Sequence, residues 1–346
     1  LRCKDTIAPT GTIAQCVGAR QVNAHGDTYE TKYGLTTSQR VYGTVMENRE
    51  GNGPCYLRTE GISKEQEQDL YKAYLNMAPS QTLKWMEAGK GPSEENVEIE
   101  GTEPYIVGGH TASGYWVDNN RATTIEGLYA AGDVAGGCPQ KYVTGALAEG
   151  EIAAEAILEY LNGKDDDRIA AENKEEALER GGEQELSQTA IAKKAEYESH
   201  LNASRSLMNA EQLEEAMQKI MDQYAGGIGT DYRYSGMSLA KADEKIAALL
   251  PVVDTLAATD TYELMQIYEL RERLIVCQAV IAHLAARKET RWHSFGENTD
   301  YPQQSEEWMK YVNSRMENGE IKILYRDLIT KENTGLNTAE KGAGER

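Results

Sequence analysis

Residues 126–133 read Glu-Gly-Leu-Tyr-Ala-Ala-Gly-Asp. The apolar run 128–131 is too short for a helix and follows a glycine-containing turn, so we predict a buried strand there. The strand is expected to end at Gly132 and Asp133, which puts a carboxylate at its carboxyl end. Ligands of open α/β sheets bind at that edge. The stretch therefore predicts one side of a ligand site.

The segment that follows is expected to supply the other side of this site. Residues 144–161 read Thr-Gly-Ala-Leu-Ala-Glu-Gly-Glu-Ile-Ala-Ala-Glu-Ala-Ile-Leu-Glu-Tyr-Leu, and Thr144 is a good N-cap for a helix over 145–161. Gly145 allows a ligand close to the backbone, and the free N–H groups of the first turn favour a polar or negative ligand edge. Together these features predict the second half of a dinucleotide site. The alternative is an ordinary strand, turn and helix with a surface aspartate.

This pattern resembles the carboxyl half of the FAD domain in the fumarate reductase and succinate dehydrogenase flavoprotein family. There a Gly-Leu-(Tyr/Phe)-Ala-(Ala/Gly)-Gly-(Asp/Glu) run sets its acid on the ribityl chain of FAD, and the next helix points its N-terminus at the flavin. The resemblance implies a non-covalently bound FAD whose contacts are Gly132, Asp133, Lys141, Thr144, Gly145, Ala146 and Leu147.

The amino-terminal half of an FAD fold has no counterpart in this sequence. No Gly-x-Gly-x-x-Gly, the motif that grips the pyrophosphate, follows a strand pattern. The chain also starts at Leu1 without an initiator methionine. We therefore expect a carboxyl-terminal fragment that is inactive by itself, with the pyrophosphate motif in the missing part.

Charge and composition exclude several classes of partner. The 346 residues carry a net charge of −20 and a sequence pI near 4.8, which argues against nucleic acid and anionic membranes. No run of about 18 apolar residues occurs, so we expect no transmembrane segment. The cysteines show no Cys-x-x-Cys spacing suited to zinc or an iron–sulfur cluster, so we expect no metal on this chain and a cytoplasmic location.

The expected fold class is α/β plus α. The predicted boundaries are 1–103 for a partial capping (lid) domain of α+β type, 104–161 for the carboxyl half of an FAD-binding α/β domain, 162–186 for an acidic linker, 187–330 for a helical carboxyl-terminal domain and 331–346 for a tail. The acidic stretch is interpreted as solvated linker or helix face rather than as a binding site.

Local signals predict where several elements start. Ser63 and Gln66 form a capping box, which predicts a helix through about Asn76, the one helix expected in the lid. The Gly-Asn-Gly-Pro at 51–54 is expected to close a hairpin-like turn. Asp260 is a predicted N-cap for the longest helix of the chain.

A closer resemblance lies in the helical part. Three segments look like those of the FAD-bearing alpha subunits of dissimilatory adenylylsulfate reductases: Ile-Met-Asp-Gln-Tyr-Ala-Gly-Gly-Ile at 220–228, Tyr-Glu-Leu-Met at 262–265 and Arg-Lys-Glu-Thr-Arg-Trp at 287–292. The predicted lid domain shares this resemblance in two further segments, Asn-Ala-His-Gly-Asp at 23–27 and Glu-Gly-Asn-Gly-Pro-Cys-Tyr at 50–56. The resemblance covers most of the chain, to about residue 315.

Three positions then become active-site candidates by this resemblance. Arg2 and Arg40 fall where those reductases place substrate-binding arginines, and His110 falls where they have a histidine near the flavin. The residue types suit the implied substrate, because guanidinium groups bind sulfate and phosphate oxygens in two-pronged fashion. A histidine can neutralise or protonate an oxyanion near pH 7. The alternatives are a frayed end for Arg2, a surface ion pair for Arg40 and a structural role for His110.

The resemblance also implies an activity and a partner. The chain would be the FAD-bearing subunit of an enzyme of sulfur metabolism and sulfate respiration, which reduces adenylyl sulfate to sulfite and AMP or runs the reverse reaction. Electrons would come from a separate iron–sulfur beta subunit that carries the 4Fe–4S clusters. In this chemistry the cofactor carries the difficult step, and the protein orients the substrate and supplies charge.

Two other functions stay open. A fumarate reductase-type enzyme with a different substrate would need two or more arginines, whereas Lys141 stands where dicarboxylate enzymes carry one. The lid run Gly-Thr-Ile-Ala-Gln at 11–15 also lacks the aromatic pair expected of the sulfur enzymes, which leaves room for an altered substrate. A non-catalytic docking subunit is the third possibility, and the Gly132–Asp133 strand end with its helix argues against it.

Overall fold

The structure is a computed structural model, and it describes residues 2–3, 13–14, 17–34, 37–100, 113–136, 142–171, 175–204, 207–291 and 296–328. Side chains are described throughout these ranges except at 2–3, 37–38, 142, 164–171, 175–187 and 228. The chain divides into two compact units. The first unit comprises Leu1–Pro104, Gly227–Arg233 and Thr290–Glu297, and the second comprises Tyr105–Gly226, Tyr234–Glu289 and Asn298–Arg346.

The first unit combines helices with a small antiparallel sheet. Its elements in chain order are β1 (Arg2–Cys3), β2 (Gln21–Val22), α1 (Glu30–Tyr33), α2 (Thr37–Arg49), β3 (Cys55–Leu57), α3 (Lys64–Met77), α4 (Pro79–Ala88) and β4 (Val97–Glu100). The sheet order is β1-β4-β3-β2, and every pairing is antiparallel. Its core is formed mainly by large side chains from the sheet, α3 and α4, namely Leu57, Leu70, Tyr74, Trp85 and Ile99.

The start of α3 confirms the predicted capping box. Ser63 Oγ accepts the backbone N–H of Gln66 at 3.2 Å, and Gln66 Oε1 accepts the backbone N–H of Ser63 at 3.0 Å. These two bonds satisfy N–H groups that the first turn of a helix otherwise leaves without partners. The helix then ends at Met77, one residue beyond the predicted end.

The prediction of a single helix for this region is wrong. The prediction does not include helix α2. The buried face of this helix carries Val41, Thr44 and Glu47, so most of that face is polar and does not show the helical spacing of apolar residues. As a result, the 51–54 turn connects α2 to β3 and does not close a hairpin.

The second unit is mostly helical. Its helices are α5 (Tyr142–Ala171), α6 (Glu175–Asn202), α7 (Ala210–Tyr224), α8 (Gly236–Val253) and α9 (Thr261–Ala286), and its last two strands are β7 (Lys310–Glu317) and β8 (Glu320–Asp327). The short strands β5 (Arg233–Tyr234) and β6 (Glu297–Asn298) pair with each other in a separate two-stranded sheet. Helices α7, α8 and α9 bury Leu213, Leu239, Ile246, Ile267 and Leu274 in one core. No helix among the described residues is both long and apolar enough to cross a membrane.

Two predictions about these helices can be checked. Asp260 caps α9 as predicted, because its Oδ1 accepts the backbone N–H groups of Tyr262 and Glu263, each at 2.9 Å. In the acidic stretch 162–186, the described residues are helical, since α5 runs to Ala171 and α6 begins at Glu175.

The carboxyl-terminal part is not helical throughout, which corrects the prediction for 187–330. Strands β7 and β8 form an antiparallel hairpin with Glu317 opposite Glu320. The turn residues Asn318 and Gly319 have φ values of 51° and 82°. Asn-Gly favours this left-handed turn, and its twist matches that of the flanking strands. The dipeptide was therefore a usable hairpin signal in the sequence.

A partly buried histidine of α9 contacts this hairpin. His283 Nε2 lies 2.9 Å from Ser314 Oγ on β7. Burial and the nearby Arg287 guanidinium lower the pKa of His283 below its ordinary value. Between the lowered pKa and the ordinary value, the unfolded chain binds more protons than the folded chain. We therefore expect the free energy of unfolding to fall as pH drops below about 6.5.

The measurement is thermal unfolding between about pH 5 and pH 8, where the histidine titrates. His283→Asn cannot be protonated in this range, so it should lose this part of the pH dependence. His25 is exposed, and the His25→Asn variant should keep the pH dependence of the native protein. Identical pH profiles for the native protein and His283→Asn would rule this explanation out.

Candidate functional site

Two extended segments of the second unit lie side by side near Asp133. The backbone N–H of Tyr115 donates to the carbonyl oxygen of Val134, and the N–H of Gly136 donates to the carbonyl oxygen of Tyr115, both at 2.8 Å. Tyr115 and Ala135 thus form a parallel bridge. The approach is so close that a Cβ on Gly114 would lie 2.5 Å from the Val134 carbonyl oxygen. The pairing therefore requires glycine at this position.

The predicted strand at 128–131 is only partly formed. Tyr129 makes a single antiparallel bridge with Ala122, and the N–H of Ala130 donates to the carbonyl oxygen of Arg121 at 3.0 Å. Ala130 is buried, but Leu128 is 50% exposed, so the run is not the buried strand expected from its composition. The reason is that its partner segment is a tight turn, which offers too few residues for a longer ladder.

Gly132 and Asp133 lie where the extended segment ends, in a 3₁₀ turn over Gly132–Val134. Gly132 has a φ of 73°, a conformation that favours glycine, and a Cβ there would lie 3.4 Å from Ala146 Cβ on α5. Asp133 is exposed. The predicted neighbourhood of strand end, acid and helix is therefore present in the structure.

The predicted N-cap is wrong. Helix α5 begins at Tyr142, so Thr144 is its third residue and lies inside the helix. An N-cap residue has non-helical backbone angles, which excludes Thr144 from this role. Gly145 is buried, whereas Ala146 and Leu147 are exposed. Lys141, the remaining predicted cofactor contact, lies outside the described residues.

The residues around this turn suit a flavin. Asp133 offers a carboxylate that can accept hydrogen bonds from hydroxyl groups. The first turn of α5 contains no acidic residue that would occupy its N–H groups or repel an electron-rich ligand edge. Val134, Val143 and Leu147 leave apolar surface exposed beside it, at 52%, 72% and 70%. An apolar ring system with a polyhydroxyl chain and a polar edge matches this set of groups.

The substrate-side candidates are only partly described. Arg2 lies on β1 opposite Glu100, and its side chain is outside the described part of the chain, as is the whole of His110. Arg40 lies on α2, and its carbonyl oxygen accepts hydrogen bonds from Gln21 Nε2 at 3.3 Å and Thr44 Oγ1 at 3.1 Å. Its Nε is buried and has no hydrogen-bond partner among the described residues.

The surroundings of Arg40 bear on its proposed role. Among the residues that the structure describes, its buried Nε has no hydrogen-bond partner. A buried donor without a partner is uncommon in folded proteins and calls for an explanation such as a ligand. Among the described residues, no group of three side chains suits a metal ion.

Sequence reasoning missed other residues that form the site. The paired glycines at 114 and 136 are needed because the two backbones touch. The ion pair between Arg121 and Glu149 joins the turn to α5. No local pattern indicates a pair of residues this far apart in the sequence, whereas glycines beside an extended segment are a recognised sign of close backbone approach.

Comparisons with known proteins agree with this geometry. The family model described as fumarate reductase flavoprotein C-term matches residues 214–340. Over 371 residues, the chain is 28% identical to the adenylylsulfate reductase subunit alpha of Megalodesulfovibrio gigas, covering 91% of this chain and 54% of that protein. It is 24% identical to an uncharacterized FAD-dependent oxidoreductase of Methanocaldococcus jannaschii, covering 78% of this chain and 44% of that one.

Solved structures extend the similarity to the fold. Adenylylsulfate reductase from Archaeoglobus fulgidus matches with a TM-score of 0.75 and 27% identity, over 95% of this chain and 58% of that chain. Quinol fumarate reductase of E. coli shares the fold at a TM-score of 0.68 and 18% identity, over 95% and 58% of the two chains. The chain thus spans about half the length of the relatives it matches. Its residues 214–340 match the carboxyl-terminal model of the fumarate reductase flavoproteins, and over almost its whole length it is similar to the alpha subunit of adenylylsulfate reductase.

Proposed function

We propose that this chain is part of the FAD-bearing subunit of an enzyme that reduces adenylyl sulfate to sulfite and AMP, or catalyses the reverse reaction. The observation that carries the proposal is the Gly132–Asp133 turn packed against the start of α5, in a chain similar to adenylylsulfate reductase alpha subunits. In this proposal, residues 1–103 belong to a lid, 104–161 to the FAD domain and 187–330 to the carboxyl-terminal domain. Residues 162–186 are the acidic linker between the last two.

The residues have distinct proposed tasks. FAD, when bound without a covalent link, supplies the electron transfer. Asp133 would accept hydrogen bonds from its ribityl region, and the first two turns of α5 would present Gly145, Ala146 and Leu147 to it, with Lys141 adding positive charge. Arg40 and Arg2 bind the sulfate or phosphate oxygens of the substrate. His110 neutralises or protonates the developing oxyanion near pH 7.

A partner must deliver the electrons. We propose an iron–sulfur subunit that carries 4Fe–4S clusters, and the similarity to adenylylsulfate reductase alpha subunits supports this proposal. The FAD-bearing chain would then bind and orient the substrate while the partner exchanges electrons with it.

A second candidate is a fumarate reductase-type enzyme, since the match to the family's carboxyl-terminal model and to the fold of a fumarate reductase supports it. That reaction would require a pair of arginines for the two carboxylates of its substrate. Sequence identity to the adenylylsulfate reductases is 27–28%, whereas identity to the fumarate reductase is 18%. This difference favours the sulfur substrate.

The flavin part of the proposal is tested by the visible spectrum of the native protein. We expect a flavin absorption band that sulfite bleaches, because sulfite is a proposed product of the enzyme and would react with its flavin. Asp133→Ala should weaken FAD binding about tenfold to hundredfold, the value of one lost charge-assisted hydrogen bond. Asp243→Ala is a matched control in the same unit, because it removes an exposed carboxylate from the surface of α8. A native protein that stays colourless after reconstitution with FAD would overturn the proposal.

A further inference from the structure

One arginine bridges the segment leading to Asp133 and the helix beside it. The carbonyl oxygen of Arg121 accepts the backbone N–H of Ala130 at 3.0 Å, shortly before Gly132 in the sequence. The position of Arg121 is itself fixed by a tight turn, in which Asp118 Oδ1 accepts the backbone N–H of Ala122 at 2.9 Å. The backbone of Arg121 therefore determines where the extended segment before Asp133 lies.

The side chain of the same residue reaches α5. Arg121 Nε donates to Glu149 Oε2 at 2.6 Å, and its Nη2 donates to Glu149 Oε1 at 2.9 Å. Its Nη1 donates to the carbonyl oxygen of Asn119 at 2.7 Å. Glu149 is only 4% exposed and lies about two turns after the start of α5. A two-pronged pair fixes both the distance and the orientation of its partners, and salt screens a partly buried pair much less than an exposed one.

The backbone of Arg121 also shows that its surroundings hold it in place. Its φ of 67° lies in the left-handed region, which residues with a Cβ rarely adopt. Such a conformation persists where neighbouring contacts determine it, and it clusters at functional sites. Here, the contacts that determine it are the turn on one side and Glu149 on the other.

We propose that Arg121 and Glu149 are positioning residues that hold Asp133 in register with the amino-terminal end of α5 and thereby set the affinity for FAD. The inference rests on the proposed function, because it assumes that Asp133 and this helix end contact the flavin. Neither side chain needs to touch the cofactor. The pair acts by fixing the spacing between two groups that do.

The test measures the dissociation constant for FAD on apoprotein prepared from the native enzyme, well below its unfolding temperature. Arg121→Lys keeps the charge but loses the fork, and Glu149→Gln keeps the shape but loses the charge. Each should raise the dissociation constant about tenfold to hundredfold. Each should also alter the visible circular dichroism of bound flavin, which reports its surroundings. The double variant should be no worse than the more affected single variant, because the two residues act through one interaction.

A matched control separates positioning from general stability. In the first unit, Glu30 is also buried and bonds to Arg20 Nη1 at 3.0 Å and to the backbone N–H of Gln21 at 2.9 Å. Glu30→Gln should lower the unfolding temperature and leave the FAD dissociation constant and the circular dichroism of the flavin unchanged.

The outcomes distinguish this inference from the proposed function. If the unsubstituted apoprotein binds no FAD, the proposed function fails and the positioning role fails with it. If it binds FAD and both Arg121→Lys and Glu149→Gln bind within about twofold of it, the positioning role alone is overturned. Equal weakening by Glu30→Gln would also overturn it, since any buried ion pair would then have the same effect.

Discussion

Replacing Gly114 by alanine is expected to break the pairing beside Asp133. The new Cβ would lie 2.5 Å from the carbonyl oxygen of Val134 and 2.8 Å from the carbonyl carbon of Ala135. Both contacts are with backbone atoms held by the two hydrogen bonds of Tyr115, so no side-chain rotation relieves them. We expect a loss of about 3 kcal/mol in the free energy of unfolding, from overpacking together with weakened backbone hydrogen bonds.

The measurement is denaturant unfolding of the native protein and the variant, with the bound flavin measured in parallel. Gly150→Ala is the matched control, since Gly150 lies within α5 and a Cβ there would meet nothing within 4 Å. In a helix interior, alanine is more favourable than glycine by up to about 1 kcal/mol. The two identical substitutions should therefore change stability in opposite directions. Unfolding of Gly114→Ala at the native midpoint would contradict the described backbone contact.

Replacing Arg40 by alanine is expected to affect the substrate and spare the fold. Its buried Nε has no hydrogen-bond partner among the described residues, so none of them loses a hydrogen bond from this atom when the side chain is removed. If the guanidinium binds an oxyanion of adenylyl sulfate, its loss removes about 1.5–3 kcal/mol. The value of kcat/KM for adenylyl sulfate should then fall roughly tenfold to a hundredfold. FAD should stay bound.

Two variants control this result. Arg40→Lys should recover part of the lost activity, because it keeps the charge but loses the two-pronged geometry. Arg58→Ala removes an exposed positive charge from the same unit and should leave kcat/KM almost unchanged, since exposed charges are screened by salt. An Arg40→Ala enzyme with native kcat/KM would exclude this residue from the substrate site.

Local signals predicted some elements well and others not at all. The caps at Ser63 and Asp260 were readable because a cap is formed by residues three or fewer apart. Helix α2 could not be predicted in this way, because it buries Thr44 and Glu47 in place of the apolar residues that make helical periodicity visible. The hairpin turn at Asn318–Gly319 does carry a local signal, because Asn-Gly favours the positive φ values found there.

The candidate site shows the same limit. The acid at 133 and the helix after it follow from a contiguous motif, and they were found in the sequence. The bond between Arg121 and Glu149 joins residues 28 apart, and its existence depends on how the turn packs on α5. Such a contact has no period and no spacing rule, so it required the folded structure.

The most direct test of the central claim is a side-by-side assay of the native enzyme with adenylyl sulfate and with fumarate, using a reduced viologen as electron donor. The proposed function predicts release of AMP and sulfite from adenylyl sulfate and no reduction of fumarate. Reduction of fumarate with no turnover of adenylyl sulfate would contradict it and favour the fumarate reductase-type enzyme.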